Sequence, residues 1–261
     1  MKRIVNVLTA GMLSASLISC SSGNENQEDE SNITVEETEN DGFVSIFDGE
    51  TLEGWDGDPT YWRVENGSIV GEITEETILD RNHFLIWQGG QPGDFELKTE
   101  FKITEEGNSG INYRSEMVEG IPYALRGYQA DIDGRNRYTG QNYEERKRTT
   151  LAYIGQKTKI NPQEKEGDLR ENVERNAWLG LEVTEELGAR DSLGNLVKTN
   201  DWNTMHLVIK GNRLQHFVNG VLMSEVIDED TANRSMKGYL GVQVHVGPPM
   251  QVAYRNMYIK Q

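Results

Sequence analysis

Cysteine is almost missing from this chain. Cys20 is the only one in 261 residues, so no intrachain disulfide can form. Histidine is scarce as well: His83, His206, His216 and His245 lie far apart, and no two have the spacing of a zinc peptidase pair. Basic charge falls well short of acidic charge, 26 residues against 43, for a formal net charge of −17. Such a chain repels nucleic-acid phosphates and has no basic patch to offset the repulsion. There is no Gly-rich phosphate cradle and no Gly-x-Ser-x-Gly elbow. No long stretch has helical periodicity. Carboxylates and carbonyls could hold a divalent cation such as Ca²⁺, but no loop has EF-hand spacing, and no metal ligand set is assigned. The longest apolar run, Ile4 to Ile18, is short and broken by Ser and Gly, which excludes a comfortable spanning helix.

That run has a function of a different kind. It follows a basic start, Lys2-Arg3, and ends in Leu17-Ile18-Ser19-Cys20. This is a secretory signal closing on a sequence that resembles the bacterial lipobox. Residues 1–19 are therefore expected to be a signal peptide and Cys20 the lipidated residue, anchoring the protein to the bacterial cell envelope without spanning it. Residues 20–42 hold eight acidic side chains and no Lys or Arg, the composition of an extended tether. Residues 43–261 then form one domain, large enough for a real core.

Within the domain, period-two alternation recurs between turn signals. Asp94 to Thr104 puts Phe95, Leu97, Phe101 and Ile103 on one face and Glu96, Lys98, Glu100 and Lys102 on the other, as a solvated strand should. Three other strands differ. Asn108 to Arg114 turns Ile111 and Tyr113 one way and Asn112 and Arg114 the other. Gly127 to Asp133 separates Tyr128, Ala130 and Ile132 from Gln129, Asp131 and Asp133. Gly238 to Val246 separates Leu240, Val242, Val244 and Val246 from Gln243 and His245. Their polar faces carry short, directional hydrogen-bonding groups instead of long flexible charges, which suits a sugar-like ligand. The alternative is three ordinary exposed faces. The segment Arg135 to Arg148 places Tyr138, Tyr143, Glu144, Glu145 and Arg148 in a loop at the sheet's edge or mouth. Lys157 to Asn200 is charged, holds Gly and Pro, and shows no clean period, so it reads as a long insertion. Inside it, Glu166-x-Asp168-x-x-Glu171 fits the spacing of a β-glucanase motif. Its intervening residues are not apolar, as a core strand would require, so it reads as a chance match.

Taken in order, several short motifs give a specific set. They are Phe47-Asp48-Gly49 with Gly54-Trp55, Trp62 with Asn66-Gly67, and Asp94-Phe95-Glu96-Leu97. Asn108-Ser109-Gly110-Ile111 with Arg114 follows, then Gly127-Tyr128-Gln129-Ala130-Asp131-Ile132. Trp202-Asn203, Asn219-Gly220, Gln243 with His245-x-Gly247, and Arg255-Asn256 complete the series. From Phe43 to the last strand the chain resembles the 3-keto-disaccharide hydrolase domain family. This chain departs from the family's pattern in having Gln129 where Glu is frequent and Val246 between His245 and Gly247.

The resemblance implies an all-β fold, a two-sheet antiparallel β-sandwich of the concanavalin A-like jelly-roll kind. It implies a carbohydrate substrate, a glycoside already oxidised to a ketone at carbon 3. The ketone acidifies the hydrogen at carbon 2, so a base can remove it and the glycosidic oxygen can leave from carbon 1. No carboxylate pair at glycosidase spacing is needed. A base, an enolate-stabilising donor and an acid suffice. His245 or Asp131 is expected as the base. Arg114 and Asn108 would steady the oxyanion, and Glu144 would be an acid. Gln129, Gln243, Asn112, Tyr143 and Arg148 would contact the sugar. Three rival readings stay open, one of them a plain hydrolase using Glu166 and Glu171. Arg114 and Asp131 could form a strand-face ion pair that only ties two strands together. The domain could also grip a glycan as a binding module and catalyse nothing.

Overall fold

The computed structural model describes residues 41–162 and 168–261. The expected signal peptide, Cys20 and most of the acidic tether lie outside the described residues, as do Glu166 and Gly167. Among the described residues, no helix is long and apolar enough to cross a membrane.

The strand-forming segments build two sheets, of ten and nine strands among the described residues. In the larger sheet, Phe95–Ile103 lies between Asn203–Lys210 and Met250–Lys260, antiparallel to both. Phe95, Leu97, Phe101 and Ile103 are buried as their alternation requires. In the smaller sheet the three polar-faced segments are consecutive neighbours. Leu125–Asp133 pairs with Asn108–Met117, which pairs with Tyr239–Val244. Their inward residues Ile111, Tyr113, Tyr128, Ala130, Ile132, Leu240, Val242 and Val244 join the inward residues of the larger sheet in one apolar core. A single core drawn from two sheets makes the domain a β-sandwich. At about 25 cal/mol per Å² of apolar surface, burial of this core is the main term holding the layers together.

Several polar side chains that cross the core pair with one another. Tyr128 Oη donates to Asp228 Oδ2 (2.6 Å), and Ser109 Oγ and Tyr254 Oη bond at 2.7 Å. Tyr113 Oη meets His216 Nε2 at 2.8 Å, while His216 Nδ1 lies 3.2 Å from the Gln141 carbonyl oxygen, to which only an N–H can donate. Nε2 is thus the acceptor, and burial holds the imidazole down at about 4, so it stays neutral. His216 belongs to the core and not to the polar face.

The segment from Lys157 to Asn200 is not a structureless insertion. Gln156–Ile160 pairs parallel with Val221–Asp228 and antiparallel with Leu181–Glu186, widening the larger sheet. Ala177–Trp178 pairs parallel with Thr149–Ala152 and widens the smaller one. Leu181–Glu186 hides almost nothing, so it has no apolar alternation to read. Its pairing is accompanied by a ladder of opposite charges instead: Lys159 with Glu182 (2.9 Å), and Lys157 with Glu185 (3.5 Å) and Glu225 (3.4 Å). Asp168 caps the short 3₁₀ turn Leu169–Asn172, where Glu171 lies, so Glu171 does not ride a core strand.

Candidate active site

The outward faces of the three neighbouring strands line a cavity of about 250 Å³. Asn108, Gln129, Asp131 and His245 belong to its wall, and Tyr143 closes one side. Register explains the grouping. Gly110 faces Asp131 and Asn112 faces Gln129 across one ladder; Asn112 faces Gly241 across the next. A Cβ on Gly110 would come within 2.6 Å of three atoms of the Gln129 side chain. The missing side chain is what lets Gln129 lie flat across the strand and reach Asp131.

Asp131 is the chemical centre of the cavity. Gln129 Nε2 donates to its Oδ1 (2.8 Å) and Gln141 Nε2 to its Oδ2 (2.6 Å). Gln243 Nε2 donates in turn to Gln129 Oε1 (3.2 Å), so a row of amides holds the carboxyl in place. Asp131 is only 8% exposed. That desolvation pushes its pKa up to about 8 against the pull of the two amide donors, with Glu145 and Asp133 adding repulsion. Gln141 Oε1 is buried without a partner. A flip of that amide would offer it to a proton on Asp131, so the site can hold either protonation state.

His245 follows the end of Tyr239–Val244 and is half-buried. Its Nδ1 lies 2.6 Å from the Val246 carbonyl oxygen, which can only accept, so Nδ1 carries the proton and Nε2 keeps its lone pair. Burial lowers the pKa of the ring, with the Val246 carbonyl opposing. The backbone here is stapled: Val246 N donates to Asn82 Oδ1 (2.9 Å), and Asn82 Nδ2 donates to Glu145 Oε1 (3.1 Å). Burial raises the Glu145 carboxyl, and it pushes the Tyr143 hydroxyl up to about 12 with help from Glu145 and Asp131. Tyr143 therefore remains a neutral O–H donor.

Five of the residues expected in the site do not line the cavity. Arg114 sits in a β-bulge with φ of 45°, where the register with Leu125–Asp133 shifts between Tyr113 and Glu116. The bulge re-aims the side chain. Its guanidinium donates to the carbonyls of Gly93 (2.9 Å) and Gly211 (2.7 Å) and to Asp94 Oδ1 (3.0 Å), well buried. It neither steadies an oxyanion here nor pairs with Asp131. Glu144 and Arg148 point into the core. Arg148 Nε donates to Glu144 Oε2 (2.6 Å), and its Nη2 donates to Asp228 Oδ2 (2.7 Å). Burial would raise the Glu144 carboxyl, but the adjoining Arg148 guanidinium holds it below the ordinary range, where it is no acid at neutral pH. Asn112 shares the outward face but is wholly buried, with its amide on Ser115 Oγ (3.3 Å), and does not line the cavity. Gln243 is also buried and reaches the site only through Gln129.

The cavity wall also contains Gln141, Glu145, Thr150, Tyr153 and Asn176. The signal for two of these was present. Gln141, Tyr143 and Glu145 alternate along one face of Asn142–Glu145 and its preceding residue, whereas Glu144 falls on the other face. Asn176 and Tyr153 come from segments with no such alternation. Among the described residues no group of three or more His, Cys, Asp or Glu is arranged to hold a metal ion.

Comparison with known proteins bears on what such a cavity does. Residues 42–260 match the model of the 3-keto-alpha-glucoside-1,2-lyase-like domain family. A 3-keto-disaccharide hydrolase of Bacteroides thetaiotaomicron is 35% identical over 94 residues, 30% of this chain and 29% of that protein. The match thus spans less than a third of that relative. Two solved structures of glycosyl hydrolases of unconfirmed activity from Parabacteroides distasonis share the fold. One has a TM-score of 0.53 at 18% identity and covers 88% of this chain and 98% of its own; the other has 0.53 at 15%, covering 84% and 98%.

Proposed function

Because the chain belongs to the 3-keto-alpha-glucoside-1,2-lyase-like domain family, we propose that its cavity cleaves 3-keto-glycosides by proton abstraction next to the ketone. One observation carries the reading. Asp131 and His245 line one cavity, and their environments push their pKa values in opposite directions. At neutral pH the imidazole is unprotonated and the carboxyl is largely protonated, which divides the roles of base and acid.

His245 Nε2 takes the proton from carbon 2. The electron pair forms an enolate across carbons 2 and 3, and the Asn108 amide and the Tyr143 hydroxyl line the cavity as donors for its oxygen. The pair then returns to form a double bond between carbons 1 and 2. The bond from carbon 1 to the glycosidic oxygen breaks, and that oxygen takes the proton of Asp131. Addition of water to the double bond completes a hydrolysis; release before that step leaves an elimination product. Proton return from the imidazolium to the carboxylate resets the pair. Gln129 and Gln141 hold Asp131 in line throughout. Lipidation at Cys20 would place this chemistry at the cell envelope.

The test is to mix the purified domain with a 3-keto-glucoside and with its unoxidised parent and follow release of the aglycone. Turnover of the keto form alone is expected. Binding without turnover would make the domain a carbohydrate-binding module instead, and turnover of the parent would require a conventional glycosidase.

A further inference from the structure

Arg190 has no carboxylate partner among the described residues. The chain has 43 acidic residues, yet among the described residues none forms an ion pair with this guanidinium. It is nevertheless held in place. Its Nε and Nη2 donate to the Arg137 carbonyl oxygen at 3.2 and 2.5 Å, and it lies 5.4 Å from the ring of Tyr138 and 5.9 Å from that of Tyr153. Both rings also line the cavity of Asp131 and His245. Tyr138 and Arg190 border a second hollow next to it, of about 660 Å³, together with Arg135 and Arg137. Glu106 answers Arg135 at 2.5 Å and Asp133 answers Arg137 at 3.6 Å. Asp191 is the one carboxylate on the hollow's own wall. With Glu106 and Asp133 counted, three guanidinium groups meet three carboxylates here, and Arg190 is the guanidinium that no carboxylate pairs among the described residues.

We propose that this hollow is a subsite for a carboxylate on the leaving part of the glycoside, so that the substrates are acidic 3-keto-glycosides. The proposal rests on the cleavage reading for what occupies the cavity, and on Arg190 for what lies beside it. A guanidinium already fixed by its own hydrogen bonds and ring contacts loses little freedom on meeting an anion. Its remaining N–H groups suit a carboxylate's paired oxygens. Tyr138, shared by both hollows, would support the part of the substrate that runs between them.

Two 3-keto-glucosides test this, one of 4-hydroxyphenylacetate and one of 4-hydroxyphenylacetamide. They differ by one charge far from the leaving oxygen. The wild-type ratio of kcat/KM, acid over amide, is expected to be about two- to fivefold, and to shrink as salt is added. In Arg190→Met the ratio should fall towards one, and in Arg190→Lys it should survive in part. A wild-type ratio near one, or a ratio that Arg190→Met leaves alone, would overturn the proposal. If neither compound is turned over, the cleavage reading fails separately, and calorimetric binding of the same pair decides the subsite. Tighter binding of the acid, lost in Arg190→Met, supports it; equal binding rejects it.

Discussion

Asp131 shows how one residue can cost stability and supply reactivity. In an unfolded chain its carboxyl ionises near 4, as an ordinary aspartate does; in the folded protein it ionises near 8. Between these values the folded state binds the extra proton, so this residue makes the protein less stable as pH rises from 4 to 8. Asp131→Asn removes that cost. Flipping the Gln141 amide would give the new Nδ2 a partner in the orphaned Gln141 Oε1. Thermal unfolding should therefore show Asp131→Asn melting a few degrees higher than wild type at pH 8, with a smaller gain at pH 4. The same variant should lose roughly 10²–10⁴ in kcat, as should His245→Ala, by initial-rate kinetics. A loss of stability in Asp131→Asn at pH 8 would contradict the raised pKa. The pH profile of kcat/KM follows from the same pair. It should rise through a value below the ordinary 6.5 of histidine, as His245 loses its proton, and fall near 8, as Asp131 loses its own. A profile flat across that window would remove both residues from the chemistry.

At the scale of the element, strand register decides which side chains meet. The alternation of Asn108–Met117, Leu125–Asp133 and Tyr239–Val244 was legible in the sequence, and with it the polar faces that carry Asn108, Gln129, Asp131 and His245; that the strands are neighbours was not. Bulges were not legible. One irregularity near Arg114 reversed the parity and sent its guanidinium to the loop carbonyls of Gly93 and Gly211. Arg148 follows the left-handed residue Arg146 (φ 58°) and turns inward to meet Glu144, Asp228 and Asp230. Local patterning distinguishes neither case from an exposed arginine, because the partners are far away in sequence. The buried cluster also makes a testable element. Arg148→Met leaves three carboxylates in the core with Lys147 as the remaining cation near Glu144 (3.2 Å). Urea unfolding at pH 7 should show a loss of about 3–5 kcal/mol. The deficit should narrow at pH 5, because the unpaired carboxyls can then take up protons. A deficit that is the same at both pH values would mean that the carboxyls do not depend on Arg148 for their charge.

For the whole molecule, a β-sandwich could be read from strands and turns, because a two-sheet core must show period-two burial. What could not be read was the widening of both sheets by the segment from Gln156 to Glu186. Charge pairing accompanies that widening, and it leaves no hydrophobic signature. The widening matters to the site, since Tyr153 and Asn176 come from it or its flank and close the cavity wall. An acidic molecule of net charge −17 should disfavour anionic ligands in general, so a preference for the acid over the amide would have to come from a local contact such as Arg190.

Deuterium at carbon 2 of a 3-keto-glucoside probes the proposed chemistry at the bond that must break first. Slower turnover of the deuterated compound by the wild-type protein, with turnover nearly abolished in His245→Ala and absent for the unoxidised parent, is the expected result. Equal rates for the two isotopologues, together with cleavage of the parent glycoside, would show that no proton leaves carbon 2 and that the site works by other means.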